Sequence, residues 1–137
     1  MLYVCDMKKI LLILLLTIPF FCFSQDYVLT KDLKERNDVV YYNGEKFSGF
    51  EYSYQENGLL QMIGQYKNGL LDGPFTWFYE DGNPYYVNQF KSGLHHGWCN
   101  MWYENGILWI RGYYNNGKVD PSSQRCWDKS GNKESCD

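Results

Sequence analysis

His95-His96 followed by Cys99 carries the residue types of a metal site. Structural zinc needs four converging ligands. Adjacent side chains in a strand point to opposite faces, so His95 and His96 do not easily share one ion. No second ligand cluster accompanies them in the chain, and neither a metal nor a cofactor is expected. Carboxylates offer acid–base chemistry. Glu56, Glu80 and Glu104, however, recur beside turns with a fixed period, and Asp81 is itself a turn former. A residue copied in every unit serves the unit rather than one reaction centre. The sequence holds no glycine-rich phosphate loop, nucleophile elbow or Cys/His dyad. No catalytic residue is expected, and the chain reads as non-enzymatic.

Two other groups carry chemistry of a different kind. Cys126 and Cys136 flank Ser130-Gly131 almost symmetrically, which makes them a disulfide candidate across a terminal hairpin, with Cys99 buried and free. Aromatic residues make up 19% of the chain, with 13 Tyr and 5 Trp. That richness suits strands and opposes disorder. Tyr54, Phe78, Tyr85, Trp102 and Trp109 are expected on one sheet face as a binding ladder, or as the second packed face of a sheet.

Glycine shows which elements position these side chains. Eight glycines, each preceded by Asn, Asp or Ser, stand at Gly44, Gly58, Gly69, Gly82, Gly93, Gly106, Gly117 and Gly131. Their spacings run 14, 11, 13, 11, 13, 11 and 14, so two steps make a unit of 24 or 25 residues. Gly49, Gly73 and Gly97 are 24 apart; Gly64 and Gly112 are 48 apart, with Asn88 midway. Such regular self-similarity marks internal repeats. Asn-Gly and Asp-Gly suit type I′ turns between antiparallel strands. Each unit is therefore a β-hairpin, and consecutive hairpins form an antiparallel meander in one elongated, twisted sheet. The fold class is all-β, with one short ambiguous segment, Thr30 to Arg36, that can form a helical turn.

A two-residue loop would pair Phe78 with Tyr85 and Trp102 with Trp109. The buried face would then hold Met62, Tyr86 and Ile110 in one column and Tyr66, Phe90 and Tyr114 in another. Trp77, Tyr79, Met101 and Tyr103 would join it from the first strands. A small residue at Gly64, Asn88 and Gly112 would let a large neighbour lie flat. A three-residue loop would invert the assignment.

The first 24 residues differ from the rest. Lys8 and Lys9 precede an apolar run from Ile10 to Phe23, and Cys22-Phe23-Ser24 ends it with small side chains at the two positions read at cleavage. This is the pattern of a secretory signal peptide cut after Ser24. Met7 is a better initiator than Met1, so residues 1–6 read as a mis-assigned start. The other readings of this segment are a retained anchor and lipidation at Cys22. After cleavage, 11 basic and 15 acidic residues remain, scattered and without a basic stripe. Nucleic-acid binding is thereby disfavoured. No membrane span is expected after cleavage, and the localisation is exported: periplasm, cell surface or medium. Residues 25–43 form a lead-in, and residues 44–137 hold about four repeats.

Tyr66-Lys67-Asn68-Gly69-Leu70-Leu71-Asp72-Gly73 and Phe90-Lys91-Ser92-Gly93-Leu94-His95-His96-Gly97 resemble MORN repeats. Each continues into an aromatic strand and a turn, Tyr79-Glu80-Asp81-Gly82 or Tyr103-Glu104-Asn105-Gly106. The 24-residue variant is similar to the bacterial YwqK-type group, whose label is antitoxin. The last unit departs from the pattern with Pro121 in place of glycine and Cys126 where Phe78 and Trp102 stood, as a capping unit would. The resemblance implies a scaffold for protein–protein interaction, or an antitoxin or immunity-type protein. Exposed aromatics leave a cell-surface glycan-binding module as a third reading. Open sheet edges also invite edge-to-edge self-association.

Overall fold

The computed structural model describes residues 26–136. The expected signal peptide lies outside them. The described chain is all-β: β1 (Asp26–Leu29), a 3₁₀ turn (Thr30–Asp32), β2 (Lys34–Arg36), β3 (Val39–Tyr42), β4 (Glu45–Lys46), β5 (Gly49–Tyr54), β6 (Leu60–Lys67), β7 (Leu70–Phe78), β8 (Pro84–Lys91), β9 (Leu94–His95), β10 (Gly97–Trp102), β11 (Leu108–Asn115), β12 (Lys118–Trp127) and β13 (Lys133–Glu134). From β5 onward, neighbours in sequence pair antiparallel in a ten-stranded sheet, except that β9 and β10 both pair with β8. Among the described residues no helix is long and apolar enough to cross a membrane.

Two corrections apply to the single antiparallel meander. The edge strand β1 runs parallel to β5, which makes the large sheet mixed. Strands β2, β3 and β4 form a separate three-stranded sheet. Its first hairpin turns at Asn37-Asp38, both with positive φ and neither a glycine, so the glycine pattern does not show it. Asn and Asp tolerate that conformation through their short polar side chains. The chain therefore doubles back twice before β5, and β1 meets β5 in parallel. Val28, Val40 and Phe47 form a buried cluster with Leu33, Tyr42 and Tyr66 around it, which docks the small sheet on the large one.

The turns fall into two classes that look alike in sequence. At Asn68-Gly69 both residues have positive φ (53° and 82°), as a two-residue type I′ turn requires. At Asn105-Gly106 only the glycine does, at 80°. There the Gly106 N–H donates to the Tyr103 carbonyl and the Tyr103 N–H to the Ile107 carbonyl. That is a three-residue loop closed by a glycine bulge. The same pattern holds at Gly58, Gly82 and Gly131.

The three-residue loop moves the register by one, and a second irregularity moves it back. Trp102 pairs with Leu108, but Met101 pairs with Ile110. Phe78 pairs with Pro84, but Trp77 pairs with Tyr86. The residue left over is Trp109 or Tyr85. Beyond that bulge, Ser53, Met62, Trp77, Tyr86, Met101, Ile110 and Cys126 lie side by side on one face. Glu51, Met62, Asn88, Cys99 and Cys126 are buried on this face, whereas Trp77, expected to be buried there, is 39% exposed. Phe75 lies across Gly64, whose Cβ would stand 2.8 Å from the Phe75 ring. Burial pushes the Tyr66 hydroxyl well above the usual tyrosine range, with a hydrogen bond to Glu51 adding to it.

Each unit is bonded to the next by side chains as well as by strand pairing. Gln55 Nε2 donates to the Tyr79 carbonyl (2.7 Å), the Tyr79 hydroxyl to the Trp102 carbonyl (2.6 Å), and the Tyr103 hydroxyl to the Trp127 carbonyl (3.0 Å). At the opposite end, Gly69, Gly93 and Gly117 donate their N–H groups to the carbonyls of Phe47, Leu71 and His95. Asp128 ends the first series. It occupies the place of Tyr103, and its carboxylate accepts from its own turn, at Ser130 N, Asn132 N and Asn132 Nδ2. These bonds hold its carboxyl below the usual range. Cys126 and Cys136 are joined by a disulfide, and Cys99 is free and buried.

A further rung is broken at one position. Asn57 Nδ2 donates to the Glu80 carbonyl and Asn105 Nδ2 to the Lys129 carbonyl, while each Oδ1 holds the N–H two residues on. Asp81 makes the second bond and its other oxygen accepts from Asn83 Nδ2, but it carries no proton for the first. Asp81→Asn should exchange that exposed bond within the turn for a donor toward the Glu104 carbonyl of the next unit and stabilise the fold by at most about 1 kcal/mol. Thermal unfolding should show Tm higher by several degrees; an unchanged or lower value would dismiss the rung as a source of stability.

Candidate functional site

The aromatic residues expected to form one ladder are divided by the register. Tyr54 is 56% exposed at the end of β5, with its ring edge-on to Tyr52. Phe78 and Trp102 end β7 and β10, half-buried. The expected pairs Phe78–Tyr85 and Trp102–Trp109 do not form, because the loop has three residues and the bulge absorbs Tyr85 and Trp109. Tyr85 packs instead on Tyr79 (ring centroids 5.2 Å apart) and Trp109 on Tyr103 (5.6 Å). Tyr79 and Tyr103 are the residues whose hydroxyls bond the next unit, so these two rings brace the contact between repeats. The correction to the expected ladder is thus the loss of these two cross-strand pairs.

The register puts other rings on the outward face. Trp98 is 41% exposed on β10 and meets Tyr113 of β11 edge-on at 5.4 Å. The Arg111 guanidinium lies over the Trp98 ring, 4.1 Å from its centroid. At the other end of the sheet Tyr27 stacks on Phe50 at 5.0 Å. Trp98 and Tyr113 were legible only as strand residues. Their pairing is the continuation of the register that joins Met101 to Ile110.

The inward face holds a compact polar group. Asn88 is 0% exposed. It stands where the neighbouring units have Gly64 and Gly112, and that departure was its signal in the sequence. Its Oδ1 accepts the Gln89 N–H, which fixes the amide's orientation. Its Nδ2 then donates to the Tyr86 hydroxyl at 2.7 Å and to His95 Nδ1. His95 is sandwiched between the rings of Phe90 and Tyr114. Cys99 is buried beside this group, and Tyr86 hydrogen-bonds to it. Burial pushes the Cys99 thiol up, away from the reactive thiolate. Burial also pushes the Tyr86 hydroxyl up to about 12. These directions describe a satisfied buried network rather than an activated nucleophile. His96 is separated from His95 and lines a surface cleft with Lys67, Asp72, Gln89 and Lys91. Among the described residues no three His, Cys, Asp or Glu side chains converge on one point.

His95 makes the network pH-sensitive. Nδ1 must be unprotonated to accept from Asn88, and burial lowers the imidazole's affinity for a proton. Above the ordinary histidine range both folded and unfolded chains are neutral there. As pH falls through about 6.5, the unfolded chain takes up a proton that the folded one resists, so stability is lost. Tm should therefore drop between pH 7.5 and pH 5.5. His95→Gln keeps an acceptor for Asn88 without titrating, and should flatten that part of the curve. An unchanged slope in the variant would assign the loss to other groups.

Compared with protein-family models, with curated proteins and with solved structures, the chain matches none.

Proposed function

We propose that this chain is an exported, non-enzymatic repeat scaffold of the MORN type that binds another protein outside the cytoplasm. The observation that carries the reading is the outward face of the β10–β11 hairpin, where Trp98 stays 41% exposed beside Tyr113. A large apolar side chain left exposed in such a group marks an interaction site. The repeated hairpins, each bonded to the next at both ends, support a rigid display surface, and the signal-like residues 1–24 support export. The 24-residue units keep the resemblance to the YwqK-type group, and with it the antitoxin label, as a reading of the repeat rather than of a site.

The test is capture of partners from the cell envelope and medium of the source cell by the purified protein, produced from the full chain. Trp98→Ala and Trp109→Ala forms are run beside it. A specific protein retained by the wild type and by Trp109→Ala, but lost by Trp98→Ala, is the expected result. Trp109 braces Tyr103 between units, so its loss should lower Tm more than binding. Capture of polysaccharide alone would replace the proposal with glycan binding, and no specific capture would refute the scaffold reading.

A further inference from the structure

The last full hairpin breaks the repeat on its outward face, and all the breaks lie together. The position of Arg111 is Ile63 and Val87 in the earlier units. The position of Arg125 is Thr76 and Asn100, that of Tyr113 is Gln65 and Gln89, and that of Trp98 is Phe50 and Pro74. Residues kept in character between units maintain the fold, so the two arginines and the tyrosine that replace uncharged aliphatic, polar and amide side chains beside Trp98 require another explanation. The register sets Arg111 directly opposite Arg125 and Trp98 directly opposite Tyr113, all four on the same face. Like charges facing each other across an antiparallel pair destabilise it by about 0.2–1 kcal/mol. Isoleucine and valine opposite threonine and asparagine would avoid that cost, as the earlier units do.

The arginines are held ready rather than neutralised. The Arg111 guanidinium rests on the Trp98 ring, and Arg125 Nη1 donates to the carbonyls of Ser122 and Gln124. Among the described residues no carboxylate pairs with either. The nearest acid in the register, Asp120 opposite Tyr113, turns its Oδ1 back on the Ser122 N–H and hydroxyl. The chain as a whole is acidic, with a net charge of −3, so a twin-arginine patch on it is a local reversal of sign.

We propose that Trp98, Arg111, Tyr113 and Arg125 form the docking patch for an acidic peptide segment of a partner protein. The proposal rests on the protein-binding reading above and names the partner's chemistry. Arginine pairs with carboxylates through two parallel N–H···O bonds, and Trp, Tyr and Arg are the side chains that dominate protein interfaces. A sugar ring would need the open face of Trp98, and Arg111 already covers one face. Charge complementarity therefore favours carboxylates on a flexible chain over stacked carbohydrate.

The test titrates the purified, isotope-labelled protein with a blocked octaglutamate peptide and follows it by NMR at low ionic strength, where surface charge is least screened. The Trp98 indole N–H and the backbone of Arg111, Tyr113 and Arg125 should shift, while the indole signals of Trp77, Trp102, Trp109 and Trp127 stay in place. Arg111→Gln and Arg125→Gln, whose folding the spectrum itself reports, should each weaken binding by about tenfold, or 1.4 kcal/mol. Octalysine should cause no shift. No response to octaglutamate, a response elsewhere, or binding by both variants as tight as by the wild type would overturn the patch. Tighter binding of polygalacturonate than of octaglutamate would overturn the peptide in favour of an acidic glycan. A partner captured from the envelope and still bound by both variants would refute this patch while leaving the scaffold reading intact.

Discussion

Gly69→Ala should cost about 3 kcal/mol, whereas the same change at Gly106 should cost about 1 kcal/mol. Both glycines have φ near 80°, where a side chain meets the following carbonyl and an L-residue pays roughly 1–2 kcal/mol. Around Gly106 there is open space. Around Gly69 there is none: an added Cβ would stand 2.4 Å from Val39 Cγ1 and 2.8 Å from the Val40 carbonyl oxygen. Relieving such overpacking costs roughly 1–3 kcal/mol more. The backbone there cannot yield cheaply, because Gly69 is bonded on both sides, its N–H to the Phe47 carbonyl and its carbonyl to the Val40 N–H. The difference between the two variants therefore measures how firmly the small sheet is seated on the large one. Denaturant unfolding of both, compared with the wild type, is the check. Equal losses would mean that β2–β4 contribute nothing to global stability.

Cys136→Ser should cost roughly 2–3 kcal/mol, the expected effect of a bridge closing a loop of about this length. The choice of cysteine matters. Cys126 is 5% exposed beside Ile110, where a lone thiol is an acceptable small apolar group, whereas serine would bury a hydroxyl. Cys136 lies at the exposed end, so removing its sulfur isolates the bridge from the packing. Strand β13 contributes only two paired positions, Cys126 with Glu134 and Trp127 with Lys133. It has little else to hold it against β12. Reductant should bring the wild type down to the variant's Tm and leave the variant unmoved. A wild type and variant that melt together without reductant would show that the bridge adds nothing to stability.

The sequence shows a good deal of this architecture, and the reason is local. Asn-Gly, Asp-Gly and Ser-Gly mark every described hairpin except the one at Asn37-Asp38, because few other pairs reach the required φ. The two turn classes could not be told apart, since Asn68-Gly69 and Asn105-Gly106 are the same dipeptide. The consequence was uneven. The three-residue loop and the bulge each shift the register by one and cancel, so Trp77 and Met101 lie beside Tyr86 and Ile110 as a two-residue loop would have placed them. Between loop and bulge the shift is not cancelled, and there the aromatic pairing was misassigned. Glu51, Phe75 and Cys99 follow by alternation from Ser53, Trp77 and Met101 on the same strands. The parallel strand β1 was illegible for another reason. Its partner lies some 20 residues away, and its direction depends on how many times the intervening chain reverses. The arginine patch shares that limit: Arg111 and Arg125 are neighbours only across a ladder whose register bulges set.

The bonds between units link each residue with one about 24 places later, and this makes length a quantised property of the molecule. Duplicating one unit within the array reproduces both partners of every rung, wherever the copied segment begins. Each such step would widen the sheet by two strands, or about 9–10 Å. Extension beyond the last unit is different, because Asp128 has no proton to pass on and the Cys126–Cys136 bridge folds the chain back. The reach of the outward face is thus a ruler that evolution can lengthen from within, in whole divisions, while both ends keep their finish.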